Sequence, residues 1–213
     1  MKVLALVDQR NGTIKTSSHE VLTTAANLAG SPESVAAIVI GSGVSAGLSS
    51  LAGFGAAKCF VADHESYANY NVLSYADVIS EAIKAFGPDL VLTVASPIGK
   101  DLLPRLAARH DAGILTDLIE IAWQDGSVVG KKPMYAGKCI ANIRTKPGKL
   151  HFASIRPNVF AAEQKEGDAA PESLPNSAAP SNLATKEIVK GKSSKPDLTE
   201  AVNIVSGGRA MAN

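Results

Sequence analysis

The sequence predicts an α/β fold: a mostly parallel sheet with helices on both faces, and antiparallel strands added in the C-terminal half of the domain. Three observations predict it. Short apolar runs alternate with helix-period segments as far as about residue 112. Those runs lack polar alternation, which marks strands buried on both faces, and parallel sheets covered by helices bury strands in that way. Beyond Gly113 the apolar segments follow one another at hairpin spacing, with no helical pattern between them.

Val3 to Val7 is a run of strand length, closed by the turn cluster Asp8-Gln9-Arg10-Asn11-Gly12. Ser17 and Glu20 have capping-box spacing, so a helix is expected there with Ser17 capping and Glu20 reaching back. Val21, Leu22, Ala25, Ala26, Leu28 and Ala29 give its apolar face, and Gly30 ends it. The unit then recurs. Val35 to Ile40 is a strand, Val44 to Leu51 a helix and Lys58 to Ala62 a strand. Val72 to Phe86 is a helix stopped by Gly87-Pro88, Leu90 to Ala95 a strand, and Leu102 to Arg109 a helix. Pro104 is expected in the first turn of that helix, where its missing N–H has no acceptor to serve.

Ile114 to Trp123, Tyr135 to Arg144 and Lys149 to Ile155 read as strands that join the sheet as antiparallel members. From Ala161 to Pro180 the composition turns to Ala, Pro, Glu, Ser and Asn, which is a linker. Asn182 to Lys190 reads as a short helix, and Val202 to Val205 as a new strand followed by Ser206-Gly207-Gly208-Arg209. A strand alone beyond a linker has nothing to bury against. The expected organisation is therefore a domain over 1–160, a linker over 161–200, and the first strand and loop of a truncated second domain over 201–213.

Composition excludes several functions. The 213 residues carry a formal net charge of +1, so no strong field argues for nucleic acid or a membrane surface. No apolar run approaches the ~20 residues a bilayer needs, so no membrane insertion is expected. Met1-Lys2 leads straight into the first strand without signal-peptide features, which predicts a cytoplasmic protein or a form already processed, and the missing transit peptide favours a bacterial cytoplasm over the mitochondrial matrix. Cys59 and Cys139 lie in apolar, strand-like surroundings and are expected to be buried thiols. His19, His64, His110 and His151 lack ligand spacing, so no zinc site is predicted.

Several motifs suggest chemistry. Gly41-Ser42-Gly43 with Gly47 follows a strand and opens a helix, and Asp63 lies where a dinucleotide loop keeps its ribose-binding acid. The spacing is G-x-G-x-x-x-G on the second strand, so a glycine-rich turn without nucleotide is the expectation, and a nucleotide-dependent enzyme the alternative. Gly43-Val44-Ser45-Ala46-Gly47 matches a nucleophile elbow, yet Ser45 sits past the end of its strand and no base is well placed. Gly191-Lys192-Ser193 lacks a P-loop's first glycine, since Lys186 stands there. Arg105, Arg109 and Asp117 are read as structural charges at the sheet edge, and no catalytic residue is assigned.

From Ser96 onward the residues become specific. Ser96 to Arg109 resembles the G-[KR]-[DN]-L-x-P-R-x-A-A segment of electron-transfer flavoprotein alpha subunits. Thr116-Asp117 matches that family's S/T-D pair, Pro133 to Lys138 its R-P-[IM]-Y-A-G-[NK] run, and Ser154 to Phe160 its T-[VI]-R-P-x-x-F ending. Val205 to Arg209 matches the V-S-G-G-R that opens its second domain. Lys132, where arginine is usual, and Ala210, where glycine is common, are departures.

The resemblance implies a nucleotide-binding-like, adenine nucleotide hydrolase-like N-terminal domain that serves as scaffold. It implies a beta subunit as heterodimer partner, the AMP of many members lying in that beta subunit. It implies FAD held mainly by a C-terminal domain, primary dehydrogenases as donors and a quinone oxidoreductase as acceptor. The chain would be an electron carrier without its own substrate turnover. One flavin contact carries over, Arg209, whose permanent guanidinium suits an anionic flavin. Gly207 and Gly208 would let the backbone approach closely. The family's remaining flavin segments lie beyond Asn213, so this polypeptide alone is expected not to hold FAD tightly.

Overall fold

The computed structural model describes residues 1–165, 167, 169–174, 183, 185, 189, 198, 201 and 203–211. Its main sheet contains β1 (Val3–Leu6), β4 (Val35–Gly41), β5 (Lys58–Asp63), β6 (Leu90–Val94), β7 (Gly113–Leu118), β11 (His151–Ile155) and β12 (Ala170–Ser173). Their order is β12-β5-β4-β1-β6-β11-β7, and every pairing is parallel. Successive side chains of a strand point to opposite faces, so the central strands feed two cores. Val3, Ala5, Val35 and Ala37 pack with α1 (Thr16–Ala29) and with Leu51 of the short α2 (Ser49–Ala52). Leu4, Leu6, Ala36 and Ile38 pack under α3 (Val72–Phe86) and α4 (Pro97–Arg109). The predicted α/β class with helices on both faces holds.

The antiparallel strands are present but form a sheet of their own. β8 (Glu120–Gln124), β9 (Ser127–Met134) and β10 (Cys139–Arg144) pair in the order β10-β9-β8. Ile121, Trp123 and Ile143 seat this small sheet against the α1-side core. The last apolar run, β11, then inserts between β6 and β7. It is parallel to both because the chain returns to the amino end of the sheet before it enters, where the His151 N–H bonds the Asp89 carbonyl.

Other local expectations give way for identifiable reasons. The capping box does not form. α1 begins two residues earlier, after Lys15, whose side chain makes no cap bond. Ser18 binds the amide and carbonyl of Asp8, and the Glu20 carboxylate is taken by Asn158. α4 starts five residues before the expected Leu102, because Ser96 caps Gly99 and Pro97 is a favourable first helical residue. Pro104 therefore stands inside the helix, where it removes the N–H that would have bonded the Lys100 carbonyl.

Part of the expected linker is ordered against the sheet. β12 pairs with β5, Glu172 bridges Lys58, and Pro171 is tolerated because the strand is an edge. Cys59 is buried and its thiol is pushed up to about 12 by desolvation, whereas Cys139 is exposed on the small sheet. Residues 203–208 belong to no strand and pair with none among the described residues, and Val205 is fully open to solvent. Val202, most of Asn182 to Lys190, and Gly191-Lys192-Ser193 lie outside the described residues. Among the described residues no helix is long and apolar enough to cross a membrane.

Candidate functional site

In an open α/β sheet, ligands and partners meet the carboxyl ends of the strands at the point where strand order reverses. Here β4 and β5 lie on one side of β1, and β6, β11 and β7 on the other, so the reversal falls between β1 and β6. A cleft of about 680 Å³ opens there. Its walls are β2 (Gln9–Arg10), which forms a hairpin with β3 (Thr13–Ile14), the start of α1, the Ala95–Ile98 turn, and the segment Arg156–Asn158.

The Asp117–Arg156 pair dominates this mouth. Arg156 donates from Nε to Oδ1 of Asp117 at 3.0 Å and from Nη2 to Oδ2 at 2.8 Å, a bidentate fork. Asp117 adopts φ 61 at the place where the pairing of β11 with β7 shifts register, and its N–H donates to Ser154 Oγ at 3.0 Å. The bulge turns the carboxylate toward the arginine and releases the chain into β8. Arg156, with help from Lys100 and Lys132, holds the Asp117 carboxyl below the ordinary range. Lys132 Nζ donates to Thr116 Oγ1 at 2.9 Å, a single-donor contact that an ammonium makes as well as a guanidinium. Four segments far apart in sequence thus converge: Ser96 to Lys100, Thr116-Asp117, Lys132, and Arg156 to Asn158.

A buried carboxylate supports this mouth from below. Glu20 of α1 is 5% exposed. It accepts the Asn158 N–H at 3.2 and 3.0 Å, and the N–H groups of Val159 and Phe160 also point at it. Asn158 has φ 62, so the turn after Arg156 wraps its amides around one side chain. Burial raises the Glu20 carboxyl, and those three N–H groups oppose the shift. Sequence reasoning gave Glu20 to the helix cap and assigned no role to Arg156. The available signal was a lone charged residue directly after an apolar strand.

The glycine-rich loop is already filled. Asp63 takes the Gly43 N–H at 2.7 Å, the Ser45 N–H at 3.1 Å and the Ser45 hydroxyl at 2.6 Å. Those donors would be needed to cradle a phosphate, and a carboxylate of the same chain occupies them. The Ser45 hydroxyl donates to Asp63 and holds it below the ordinary carboxylate range, so it is committed to that carboxylate rather than to an imidazole. Gly12 of the hairpin closes over the loop; a Cβ there would stand 2.9 Å from the Gly43 carbonyl oxygen. Arg109 bonds Asp77 at 2.6 Å and so ties α4 to α3, while Arg105 is exposed.

Ser206, Gly207 and Gly208 are exposed and lead into a 3-10 turn over Arg209–Met211, closed by the Met211 N–H on the Gly208 carbonyl at 3.0 Å. The Arg209 side chain is exposed. Among the described residues no group of three His, Cys, Asp or Glu side chains forms a metal site. At the mouth of the sheet the chain offers a fixed ion pair and shaped backbone. Asp117, held ionised by Arg156, is poorly suited to deliver or take a proton near neutral pH.

Comparison with known proteins finds similarity along nearly the whole chain. The family model described as "Electron transfer flavoprotein domain" matches residues 3–180. The chain is 32% identical over 213 residues to the electron transfer flavoprotein subunit alpha of Bacillus subtilis (strain 168), covering 99% of this chain and 65% of that protein. It is 34% identical over 205 residues to the subunit alpha of Syntrophomonas wolfei, covering 95% and 63%. It is 28% identical over 217 residues to the lactate dehydrogenase (NAD(+),ferredoxin) subunit LctC of Acetobacterium woodii, covering 98% and 51%. The chain therefore spans less than two thirds of the length of these relatives.

Proposed function

Because the chain belongs to the electron transfer flavoprotein family, we propose that it is the N-terminal scaffold of an alpha-type subunit. In a bacterial cytoplasm this subunit pairs with a beta-type subunit and carries electrons on FAD. Primary dehydrogenases are the donors, and a quinone oxidoreductase of the respiratory chain is the acceptor. The subunit turns over no substrate of its own. One observation carries the reading: three of the five segments that resemble alpha subunits, those at Ser96, Thr116-Asp117 and Ser154, meet around the Asp117–Arg156 pair at the mouth of the sheet. Similarity to alpha subunits along nearly the whole chain supports it further.

Arg209, with Gly207 and Gly208 beside it, is the segment that would meet the flavin. An exposed guanidinium next to glycine backbone suits an anionic group. FAD supplies the capacity to take up and release electrons one or two at a time. What this chain adds is a rigid α/β body and a single cation, and residues 201–213 are read as the opening of the flavin domain. The chain by itself should hold FAD weakly.

Purifying the chain alone and with a co-produced beta subunit tests this. A stable one-to-one complex on size exclusion, with little flavin absorbance in the chain alone, is the expected result. Stoichiometric flavin in the isolated chain would refute the division of labour. Failure to form the complex would refute the heterodimer. Titration with AMP, ATP and NADH should show no binding, as the Asp63-filled loop requires.

A further inference from the structure

The cleft at the mouth of the sheet has a space behind it. A cavity of about 40 Å³ lies between the carboxyl ends of β1, β4 and β6 and the helices α3 and α4. Asp8, Gln9, Ser96 and Ile98 border both the cleft and this cavity, so the two adjoin as a wide front and a narrow rear.

Front and rear differ in chemistry. Leu6, Ile38, Ile40, Ile79 and Leu102 give the rear an apolar wall. Two hydroxyls are buried in that wall, Tyr75 at 8% and Thr93 at 4% exposure. Both are engaged with backbone carbonyls: Tyr75 with those of Ile40 at 3.3 Å and Tyr67 at 3.4 Å, Thr93 with that of Leu6 at 3.3 Å. The rear therefore suits hydrocarbon. A water-sized group takes up about 10–15 Å³ of such space, so the rear receives roughly three heavy atoms and no purine ring.

The front is positive. Four basic side chains, Arg10, Lys15, Lys100 and Arg156, line it against two acids, Asp8 and Asp117. Arg156 and Asp117 satisfy each other. Lys100 is exposed and acts on Asp117 through its charge, and its ammonium makes no hydrogen bond or ion pair among the described residues. The first turns of α1 and α4 face the same space and neither carries an acid, so their dipoles add to the positive potential.

We propose that this chamber binds a small organic monocarboxylate, its carboxylate beside Lys100 in the front and a hydrocarbon tail of about three carbons in the rear. The size of the rear sets the tail, and the excess of cations sets the head. An organic phosphate fits less well, because the amides that would cradle one serve Asp63. A nucleotide cannot seat its base in the rear. Every lining residue belongs to this chain, so the site is independent of the heterodimer reading.

The test titrates the full chain with sodium isobutyrate at an ionic strength held constant with chloride, and follows backbone amide shifts by two-dimensional NMR. Ile40, Ile98 and Gly99 should shift and saturate, with a Kd on the order of 1–10 mM for so small a ligand. Formate, which has no tail, should bind about tenfold more weakly, and neutral isobutyramide should not bind. Lys100→Gln should weaken isobutyrate by roughly fivefold or more while keeping the wild-type circular dichroism spectrum and urea midpoint, since the side chain is exposed.

No saturable shift at those three amides, or equal shifts with isobutyramide, would overturn the site. Formate binding as tightly as isobutyrate would overturn the seat given to the tail. Wild-type affinity in Lys100→Gln would overturn the seat given to the head. Inorganic phosphate binding more tightly than isobutyrate would overturn the choice of ligand.

Discussion

Glu20 ties α1 to the turn after β11, so its removal should be costly. Glu20→Ala takes away the acceptor for three backbone N–H groups, those of Asn158, Val159 and Phe160. Hydrogen bonds to a charged group are worth about 1.5–3 kcal/mol each. Two terms reduce the total. Residues 158 and 159 are exposed, so their freed amides regain water, and the wild-type carboxylate gives up a desolvation cost that alanine never bears. A net loss of about 2–3 kcal/mol remains, and in a chain of this length that lowers Tm by roughly 5–10 °C. Glu20→Gln keeps an acceptor of the same shape and should recover most of it.

The pH dependence gives an independent check. Burial raises the Glu20 carboxyl above its ordinary 4.5 in the folded chain. The folded state therefore holds this proton after the unfolded state has lost it. The contribution is complete below the unfolded value and disappears as pH rises through the folded one. Wild-type stability measured relative to Glu20→Gln should accordingly fall as pH rises from about 4.5. Urea unfolding followed by circular dichroism across pH 4 to 8 reads both effects. An alanine variant within about 0.5 kcal/mol of wild type, the ordinary range for a surface substitution, would refute the role given to Glu20.

Three further outcomes follow from the same coordinates. A Cβ at Gly99 would stand 2.1 Å from the Val94 carbonyl oxygen, so Gly99→Ala must push α4 off the end of β6 and should cost about 3 kcal/mol or more in urea unfolding. Asp117 is held low by Arg156, so its contribution is present above its ordinary 3.8 and lost as pH falls through the lower folded value. Asp117→Asn, which tolerates the left-handed backbone, should remove that acid-side loss at a cost of about 1 kcal/mol at pH 7, given a partly exposed pair. Ala136→Gly should raise stability by about 1 kcal/mol in thermal melts, because it relieves φ 57.

The central strands were legible because nothing else explains their composition. Val35 to Ile40 and Leu90 to Ala95 are too apolar and too short for anything but doubly covered strands, and the structure places them within a residue of that reading. Helix α3 was legible to the residue, since Asn71 caps it and Gly87 stops it. Strand direction was not. Whether Lys149 to Ile155 runs with or against its neighbours depends on the path through the small sheet, and hairpin spacing favoured the wrong answer for the main sheet. Local motifs misled wherever a distant group competed better. Glu20 and Asp63 stand at the predicted spacings, yet one serves Asn158 across 138 residues and the other plugs the loop it was expected to assist. The mouth of the sheet was partly legible. Its segments carried the family resemblance, but the Asp117–Arg156 fork depends on a bulge that no periodicity announces.

β11 is nearly the last strand of the main sheet to be synthesised, and it lies between two made much earlier. Until residues 151–155 emerge from the ribosome, β6 and β7 face an empty slot, each with an unpaired backbone edge. Assembly must then proceed by insertion rather than by adding at the rim. That order predicts slow maturation governed by long-range pairing, and a nascent chain that is sticky for most of its synthesis. A fragment ending before the slot is filled would lack the strand that joins the two parts of the sheet, and should gain little from every helix already in place.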